Sequence, residues 1–413
     1  MARAGGSTVC AGVNALSRTC TWEGAPAAAG PIGCVSDWTI VSLAAVTWDF
    51  RLVGRTRMLT EAWLRAGQAT LFVQVPSLRS GVQRLLGQLR RPDNAPVLRP
   101  WPVLPARWWK SLGTDRLRQL IRRRAPALRR QLQRCLDWDR AAGVVVSPVW
   151  TPWLGELPFR CVVYDCIDEL AVHITRPELA DLYRDWEDEL ISRASGAVAT
   201  AQVLADGLRR RRPDLPTTVI RNGVDVERFQ RLASASPRPA DVPRSGRPIV
   251  GFVGALYDWI DWELIRRTAQ RLADVDFVFV GPHDRRGNPR VIASLPNVHL
   301  LGARPYTQVP AYVDAFTVGW VPFTQDAIGA AANPVKIYEY LALGKPVVTT
   351  PVADTESFGD LVTVARTADE MTGRLRAAIS EGTARAAQRV AFARDNSWDR
   401  RAQDYTTFLR SLS

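Results

Sequence analysis

The sequence predicts an α/β protein with two Rossmann-like, doubly wound domains that face each other across a central cleft. Two observations support this prediction. Strand-like apolar runs alternate with amphipathic helical segments along the chain, and the alternation stops and restarts around residues 226–247. Parallel strands covered on both faces give such continuous apolar runs. At 413 residues the chain is long enough for two domains of this kind.

The first series of elements follows residues 1–37, which lack periodicity and are predicted to be a disordered tail outside the fold. Residues 38–225 are predicted to form the first domain. Its predicted elements are strand 39–48, helix 52–66, strands 69–75, 143–147 and 161–164, helix 177–193, strand 196–200 and helix 203–211. The domain therefore opens with a β-α-β unit, as a doubly wound sheet does.

The second series follows a linker predicted at residues 226–247, where proline and serine are frequent. Residues 248–395 are predicted to form the second domain, and residues 396–413 a helix that returns to the first. The predicted elements of the second domain are strand 248–254, helix 259–273, strands 276–280, 298–301 and 316–321, a helix before strand 347–350, and helices 369–380 and 384–394. Ligands of open α/β sheets bind beyond the carboxyl ends of the strands, so we expect a site between the domains.

The segment NPVKIYEYLALGKPVVTTP, which starts at Asn333, carries the strongest indication of function. Lys336, Glu339 and Tyr340 lie at i, i+3 and i+4, so they share one face of a helix near its positive N-terminus. Cations and helix N–H groups bind phosphates, and an ionised carboxylate binds a sugar diol. A nucleotide sugar has both groups. The chain has only three lysines, and two flank this helix, either by chance or because an ammonium is required there.

Other strand ends provide further candidates for the second domain. Gly254, in GFVGAL, can bring the backbone close to a diphosphate, but the full G-x-G-x-x-G spacing is missing, which disfavours a nicotinamide-dependent dehydrogenase. Arg304 and Tyr306 can stack against a planar base or belong to a solvated loop. Asp258 and Asp261 are predicted to cap the next helix.

Strand ends of the first domain provide candidates for catalysis and for acceptor binding. Three residues after a strand end are candidates for acid–base chemistry or substrate binding: Asp165, Asp168 and His173. A polar network on the protein surface would explain the same residues equally well. An acceptor wall is predicted near the end of the first strand, from Trp48, Asp49 and Arg55.

Composition excludes several classes of site. Six cysteines without C-x-x-C spacing and three histidines indicate neither a zinc site nor a disulfide framework. The net charge of +13 favours anionic partners, but no nucleic-acid-binding signature is present, so nucleic acid is not a predicted partner. The chain shows no membrane-spanning apolar stretch and no signal peptide, which predicts a cytoplasmic protein.

The segment from Trp108 to Arg140 is basic and amphipathic, and Pro126 is expected to interrupt it. Two interpretations stay open. The segment lies on an anionic membrane at the inner face, or it packs as an ordinary helix against the core of an arginine-rich protein.

Together these motifs resemble the glycosyltransferases of the GT-B fold, family 4, in a branch associated with cell-surface polysaccharide synthesis. The resemblance covers roughly residues 39–412 and is carried by VTWDF, VVYDCIDE, IRNGVDVERF, GFVGALYDWID, NVHLLGARPY, PVKIYEYLALGKPVV and SWDRRAQDY. It implies transfer of a sugar from a nucleotide-sugar donor, without metal or cofactor and with retention, to a lipid-linked or cell-surface glycan or a small natural product. It further implies that Glu339 holds the ribose hydroxyls and that Gly254 and basic residues bind the diphosphate.

The chain departs from the family pattern at two places. Ala331 stands where many members have a second glutamate, and the loop ALYDWID lacks the basic residues that often follow the glycine. Lys336 is therefore expected to bear more of the diphosphate contact. Two alternatives remain open, a nucleotide-sugar 2-epimerase of the same fold and a catalytically inactive scaffold that binds nucleotide sugars or polyanions.

Overall fold

The structure is a computed structural model that describes residues 38–48, 53–74, 97–98, 114–169, 174, 176–283 and 288–412. Within these residues the chain forms two parallel sheets, one in each half. The predicted pair of doubly wound domains is therefore confirmed. The predicted tail at 1–37, Asp49 and His173 lie outside the described residues.

The first domain is built on a seven-stranded sheet. Its strands are β1 (Thr39–Leu43), β2 (Thr70–Val73), β3 (Val97–Leu98), β4 (Ala141–Val145), β5 (Cys161–Cys166), β6 (Gly196–Ala199) and β7 (Thr217–Val219). Their order is β3-β2-β1-β4-β5-β6-β7, and every pair is parallel. All five residues of β4 are buried, as expected for a strand with apolar cover on both faces.

The second domain is built on a six-stranded parallel sheet. Its strands are β8 (Ile249–Val253), β9 (Asp276–Val280), β10 (Val298–Gly302), β11 (Val318–Val321), β12 (Val347–Thr349) and β13 (Val362–Val364). The order β10-β9-β8-β11-β12-β13 reverses direction between β8 and β11. A crevice opens at such a reversal, beyond the carboxyl ends of the strands, and ligands bind there in folds of this type.

Helices cover both sheets. Those of the first domain are α1 (Arg55–Arg65), α2 (Thr114–Leu132), α3 (Thr151–Leu154), α4 (Pro177–Arg193) and α5 (Gln202–Arg211). Those that follow are α6 (Val226–Ala235), α7 (Trp262–Arg271), α8 (Val309–Asp314), α9 (Ala327–Ala331), α10 (Val335–Ala342), α11 (Ala368–Glu381), α12 (Ala386–Asp395) and α13 (Trp398–Ser411). Of the two predicted caps, Asp261 accepts a hydrogen bond from the Leu264 amide at the start of α7.

The segment predicted as a linker begins with helix α6. Asp225 caps this helix by accepting from the Arg228 amide. Val226 and Phe229 are buried in the core of the second domain, and Ala233 is buried on the same helix. A capping aspartate followed by apolar residues at i, i+3 and i+7 is a helix signal, so the predicted linker is wrong over this helix; the proline- and serine-rich residues begin only beyond it.

Helix α2 packs as an ordinary amphipathic helix. Its apolar residues are buried against the first-domain core: Leu117, Ile121, Ala125, Leu128 and Leu132. The helix continues through Pro126, contrary to the predicted interruption. Pro126 is exposed, so water can replace the amide hydrogen bond that proline removes. Within the described residues no helix is long and apolar enough to cross a membrane.

The last helix, α13, returns to the first domain and packs on α1, as predicted. Trp63 donates its indole N–H to the Ala402 carbonyl at 3.2 Å, and its ring meets the Tyr405 ring edge-on at 5.3 Å. An ion pair of 2.7 Å between Arg65 and Asp399 lies beside these contacts. The chain therefore crosses between the domains twice, once before α6 and once before α13.

Candidate functional site

The turn after β8 and the start of α10 meet at Gly254. This glycine has a φ of +148°, and a Cβ at its position would lie 2.9 Å from Cε of Lys336. Its amide already donates to the Val280 carbonyl at 2.9 Å. The contribution of Gly254 to the site is therefore space for the lysine side chain: an L residue is strained at this φ, and its Cβ would displace the end of the Lys336 side chain.

Lys336 extends over two aromatic rings. Its Nζ lies 5.2 Å from the centre of the Phe252 ring and 4.7 Å from that of Phe323. No carboxylate of the described residues lies within ion-pair distance of it. Burial lowers the pKa of Lys336 to about 8, because the ammonium is poorly hydrated there, and the charge of Glu339 acts in the opposite direction. Within the described part of the chain, the Lys336 ammonium therefore has no ion-pair partner, and Glu339 acts on it only from a longer distance.

Glu339 lies one turn along α10 and is 6% exposed. Tyr306 donates its hydroxyl to Glu339 Oε1 at 2.8 Å. Burial raises the pKa of Glu339, whereas the hydrogen bond from Tyr306 and the charge of Lys336 act to lower it. Burial and the glutamate raise the pKa of Tyr306 well above its usual range, so the phenol remains a donor at any physiological pH.

Tyr340 and the N-terminus of α10 complete this side of the site. The Tyr340 hydroxyl accepts from the Val253 amide at 2.9 Å, so the buried tyrosine supports the strand end directly before Gly254. Pro334 is the N-cap residue of helix α10 and provides no side-chain cap. The first amides of the helix accordingly have no side-chain acceptor, which is the arrangement that binds phosphate at helix N-termini.

Asn333 ties the entry of α10 to the connection between the domains. Its side-chain oxygen accepts from the Asn222 amide at 3.0 Å, and its carbonyl accepts from the Asn222 side chain at 2.6 Å. Both residues are buried. The side-chain nitrogen of Asn333 has no hydrogen-bond partner among the described residues. A buried donor of this kind is available to a ligand.

On the first-domain side, Arg55 and Asp165 form a buried ion pair. Arg55 Nε lies 3.0 Å from Asp165 Oδ2, with side-chain exposures of 3% and 1%. Arg55 also donates to the Arg221 carbonyl at 3.1 Å and to the Asn222 side chain at 3.4 Å. The structure therefore brings a predicted acceptor residue and a predicted catalytic residue together beneath the inter-domain connection, where each neutralises the other. Their contacts with substrates stay predictions.

The remaining first-domain candidates have separate surroundings. Asp168 is half-buried after β5 and accepts from the Glu169 amide at 2.9 Å. Trp48 is 2% exposed and meets the Phe72 ring edge-on at 5.0 Å, so its apolar surface is largely covered. The Arg57 guanidinium lies 4.8 Å from the centre of the Trp48 ring. Whether these residues contact an acceptor stays a prediction.

Arg304 has protein partners away from α10. It forms an ion pair with Asp241 and donates to the Tyr312 hydroxyl at 2.8 Å. Tyr306, its predicted companion, instead bonds Glu339. Stacking of either residue on a base stays a prediction. Nowhere in the described residues do three or more His, Cys, Asp or Glu side chains converge as a metal site requires.

Sequence reasoning missed one residue that joins the domains. Asp354 has a φ of +52°, the left-handed region, which no other non-glycine residue of the described part adopts. Its carboxylate accepts from the Gln202 amide at 3.0 Å and from Arg221 Nε at 2.7 Å. Helix α5 has no cap of its own, because Ala201 precedes it, so a second-domain carboxylate caps a first-domain helix. Ala201 at this position was the available signal.

Comparison with protein families gives a match over residues 247–381 to the family described as glycosyl transferases group 1. This range contains Gly254, Lys336 and Glu339, and therefore the second-domain side of the site. Among curated proteins, the chain is 30% identical over 235 residues to the putative teichuronic acid biosynthesis glycosyltransferase TuaH of Bacillus subtilis (strain 168). The alignment covers 54% of this chain and 57% of that protein, little more than half its length.

Solved structures resemble nearly the whole chain. The sucrose-phosphate synthase from Thermosynechococcus elongatus superposes with a TM-score of 0.67 and 14% identity, over 91% of this chain and 99% of the other. Anabaena HepE in complex with UDP-glucose superposes with a TM-score of 0.63 and 17% identity, over 90% and 99%. At these identities the likeness shows the fold, which is GT-B. With the family match, it confirms the resemblance predicted from the sequence.

Proposed function

We propose that this chain, a GT-B protein whose residues 247–381 form a group 1 glycosyltransferase domain, transfers a sugar from a nucleotide-sugar donor to a hydroxyl or amine acceptor. The observation that carries the proposal is the pairing of Lys336 and Glu339 one helical turn apart at the crevice of the second sheet. The ammonium suits a diphosphate and the carboxylate suits a ribose diol. Two of the similar structures are described as complexes with UDP and with UDP-glucose, which supports this choice of donor.

In this proposal the second domain binds the leaving group. Lys336, the first amides of α10 and the side-chain nitrogen of Asn333, which has no partner among the described residues, are donors for the diphosphate, and Gly254 leaves room for the Lys336 side chain. Departure of the sugar places negative charge on the diphosphate, and fixed donors that stabilise this charge lower the barrier. Because the chain itself supplies such donors, we propose transfer without a metal ion, and with retention as in the family it resembles.

The acceptor is proposed to be a lipid-linked or cell-surface glycan, or a small natural product, bound on the first-domain side of the cleft. The similarity to a protein named for teichuronic acid biosynthesis favours the glycan. Ala331 is 4% exposed and packs with the first-domain core cluster rather than lining a polar pocket. Recognition of the donor sugar therefore depends on groups other than a glutamate at this position.

The test of the donor site is the variant Glu339→Gln. Loss of the carboxylate charge should weaken nucleoside diphosphate binding by on the order of 1 to 3 kcal/mol, while a similar change at the exposed Glu227 should leave binding unchanged. Mass spectrometry of nucleotide sugars retained by the purified protein identifies the donor, and calorimetry measures its affinity. Unchanged affinity in folded Glu339→Gln would overturn the assignment. Binding without turnover on any acceptor would instead favour an inactive scaffold.

We also propose that the arginine face of α2 holds the protein against an anionic membrane. Six exposed arginines of this helix form no ion pair within the described part of the chain: Arg116, Arg122, Arg123, Arg124, Arg129 and Arg130. Because the apolar face of α2 is committed to the core, the helix cannot insert into the bilayer. Attraction is therefore electrostatic, about 1 kcal/mol for each arginine near the surface, and weakens with salt.

Vesicle cosedimentation tests this surface. Wild-type protein should bind phosphatidylglycerol vesicles at low salt and phosphatidylcholine vesicles weakly. Replacing three arginines of α2 by glutamine should abolish most of this binding, with Arg122, Arg123 and Arg129 as the set. The control set removes equal charge from exposed arginines elsewhere, namely Arg231, Arg290 and Arg374. Equal losses in both variants would show a non-local charge effect and refute the assignment to α2.

A further inference from the structure

Tyr306 lies outside the helix that carries the donor-binding candidates, yet it contacts one of them directly. It begins the short turn Tyr306–Gln308 between β10 and α8. Its hydroxyl donates to Glu339 Oε1 at 2.8 Å, and the two residues are 33 positions apart in the chain. No other described residue donates a hydrogen bond to the Glu339 carboxylate. Tyr306 therefore determines where one of the two carboxylate oxygens lies.

The tyrosine is itself held by apolar contacts from both domains. Its ring centre lies 6.4 Å from that of Phe229 on α6. It also packs, together with Val335 of α10, against the first-domain cluster that contains Met58 and Trp63. These contacts fix the ring, so the hydroxyl has a defined position from which to donate. A positioned donor of this kind preorganises the carboxylate before the ligand arrives.

We infer that Tyr306 is a positioning residue, which holds the Glu339 carboxylate in place for the ribose diol. This inference rests on the proposed function. Occupation of Oε1 by the phenol leaves Oε2 without a hydrogen-bond donor among the described residues, so the ligand hydroxyl meets an acceptor of fixed direction. Without the phenol, the carboxylate would be free to rotate and would lose the hydrogen bond that favours its ionised form.

The charges around the pair set the expected pH dependence. Lys336 faces Glu339, while Arg228 and Asp225 face Tyr306. Burial raises the pKa of Glu339, and the Tyr306 hydroxyl and Lys336 oppose that rise. Removing the hydroxyl should therefore raise the pKa of Glu339 further. Since nucleotide binding needs the ionised carboxylate, the pH below which affinity declines should move upward.

The experiment compares Tyr306→Phe with Tyr312→Phe. The first change removes only the hydroxyl that meets Glu339. The second removes a hydroxyl of the neighbouring helix that bonds Arg304 and Asp241 instead. Calorimetric titration with UDP, GDP, ADP and CDP selects the tightest nucleotide as the probe, and its affinity is then measured between pH 5 and pH 8 for each protein. Thermal melting confirms that both variants are folded.

Tyr306→Phe should bind the probe about tenfold more weakly than the wild type. The acid limb of its pH profile, which is the pH range in which affinity declines on acidification, should lie at higher pH. Tyr312→Phe should have the affinity and the pH profile of the wild type. A merely structural role for Tyr306 would not move the acid limb. Wild-type affinity with an unchanged pH profile in Tyr306→Phe would overturn the inference, even if Glu339→Gln lost binding. Failure of the wild type to bind any of the four nucleotides would instead refute the proposed function.

Discussion

Nucleotide binding should be accompanied by proton uptake at Lys336. In the free protein the pKa of this lysine is lowered to about 8 because burial disfavours the ammonium. A bound diphosphate places negative charge beside it and should return the pKa toward its ordinary value. The lysine is then protonated in the complex and only partly protonated in the free protein, so binding takes up a proton in the interval between the two pKa values.

The size of the effect follows from the pKa of the free lysine. With that pKa near 8, about a tenth of the lysine is neutral at pH 7, about half at pH 8 and about nine tenths at pH 9. If the complexed lysine returns to its ordinary pKa of 10.5, uptake should rise from about 0.1 proton per nucleotide at pH 7 to about 0.9 at pH 9. Affinity should fall correspondingly as the pH increases above 8, approaching tenfold for each pH unit.

Calorimetry in pairs of buffers with different ionisation enthalpies measures the protons exchanged. The variant Lys336→Met should bind the nucleotide weakly and show no uptake at pH 9. The matched control is Lys345→Met, because burial also lowers the pKa of Lys345, but this lysine donates to the Asp314 carbonyl at 2.6 Å. Its removal should leave the uptake intact. Equal binding enthalpies in all buffers at pH 9 would refute the reasoning, as would uptake that persists in Lys336→Met.

Three sets of substitutions test other contacts, each by urea denaturation. Gly254→Ala should lower the free energy of unfolding by about 1 to 3 kcal/mol, because an L residue is strained at a φ of +148°, and should also abolish nucleotide binding. Wild-type stability together with wild-type binding would contradict this. Asp354→Ala should lower the free energy of unfolding by about 1 kcal/mol, because the cap on the Gln202 amide is lost. Asp354→Gly should recover part of this loss, because glycine adopts a φ of +52° without strain. A glycine variant less stable than the alanine variant would contradict this. Arg55→Met should lower the free energy of unfolding by about 3 to 5 kcal/mol, because it leaves the Asp165 carboxylate buried without its ion-pair partner. Adding Asp165→Leu to this variant should restore stability. A double variant as unstable as Arg55→Met would contradict this.

Features with a local period could be predicted from the sequence. Strands such as β4 and β8 are continuous apolar runs, and α10 has its lysine and glutamate one turn apart, so both types of element follow from the spacing of neighbouring residues. The same reasoning correctly gave Asp261 as a cap, since a cap acts on amides two or three positions away.

Contacts between distant segments could not be predicted in this way. Arg55 and Asp165 are 110 positions apart, and each alone is a polar residue at an element end, which is typical of a substrate contact. Only the parallel order of β1, β4 and β5 brings the two residues together. Because both side chains are buried there, the opposite charges pair with each other. The polar character of both positions was predicted, and their pairing was not.

The contacts that escaped prediction lie mainly between the two domains, which bears on how the site works. Asn333 bonds Asn222 of the inter-domain connection, and Asp354 caps a first-domain helix. Tyr306 packs against the first domain while it holds Glu339. Separation of the domains would disturb all three contacts at once. Because the entry and the carboxylate of α10 are both fixed through them, nucleotide affinity should depend on closure of the cleft as well as on the residues of the second domain.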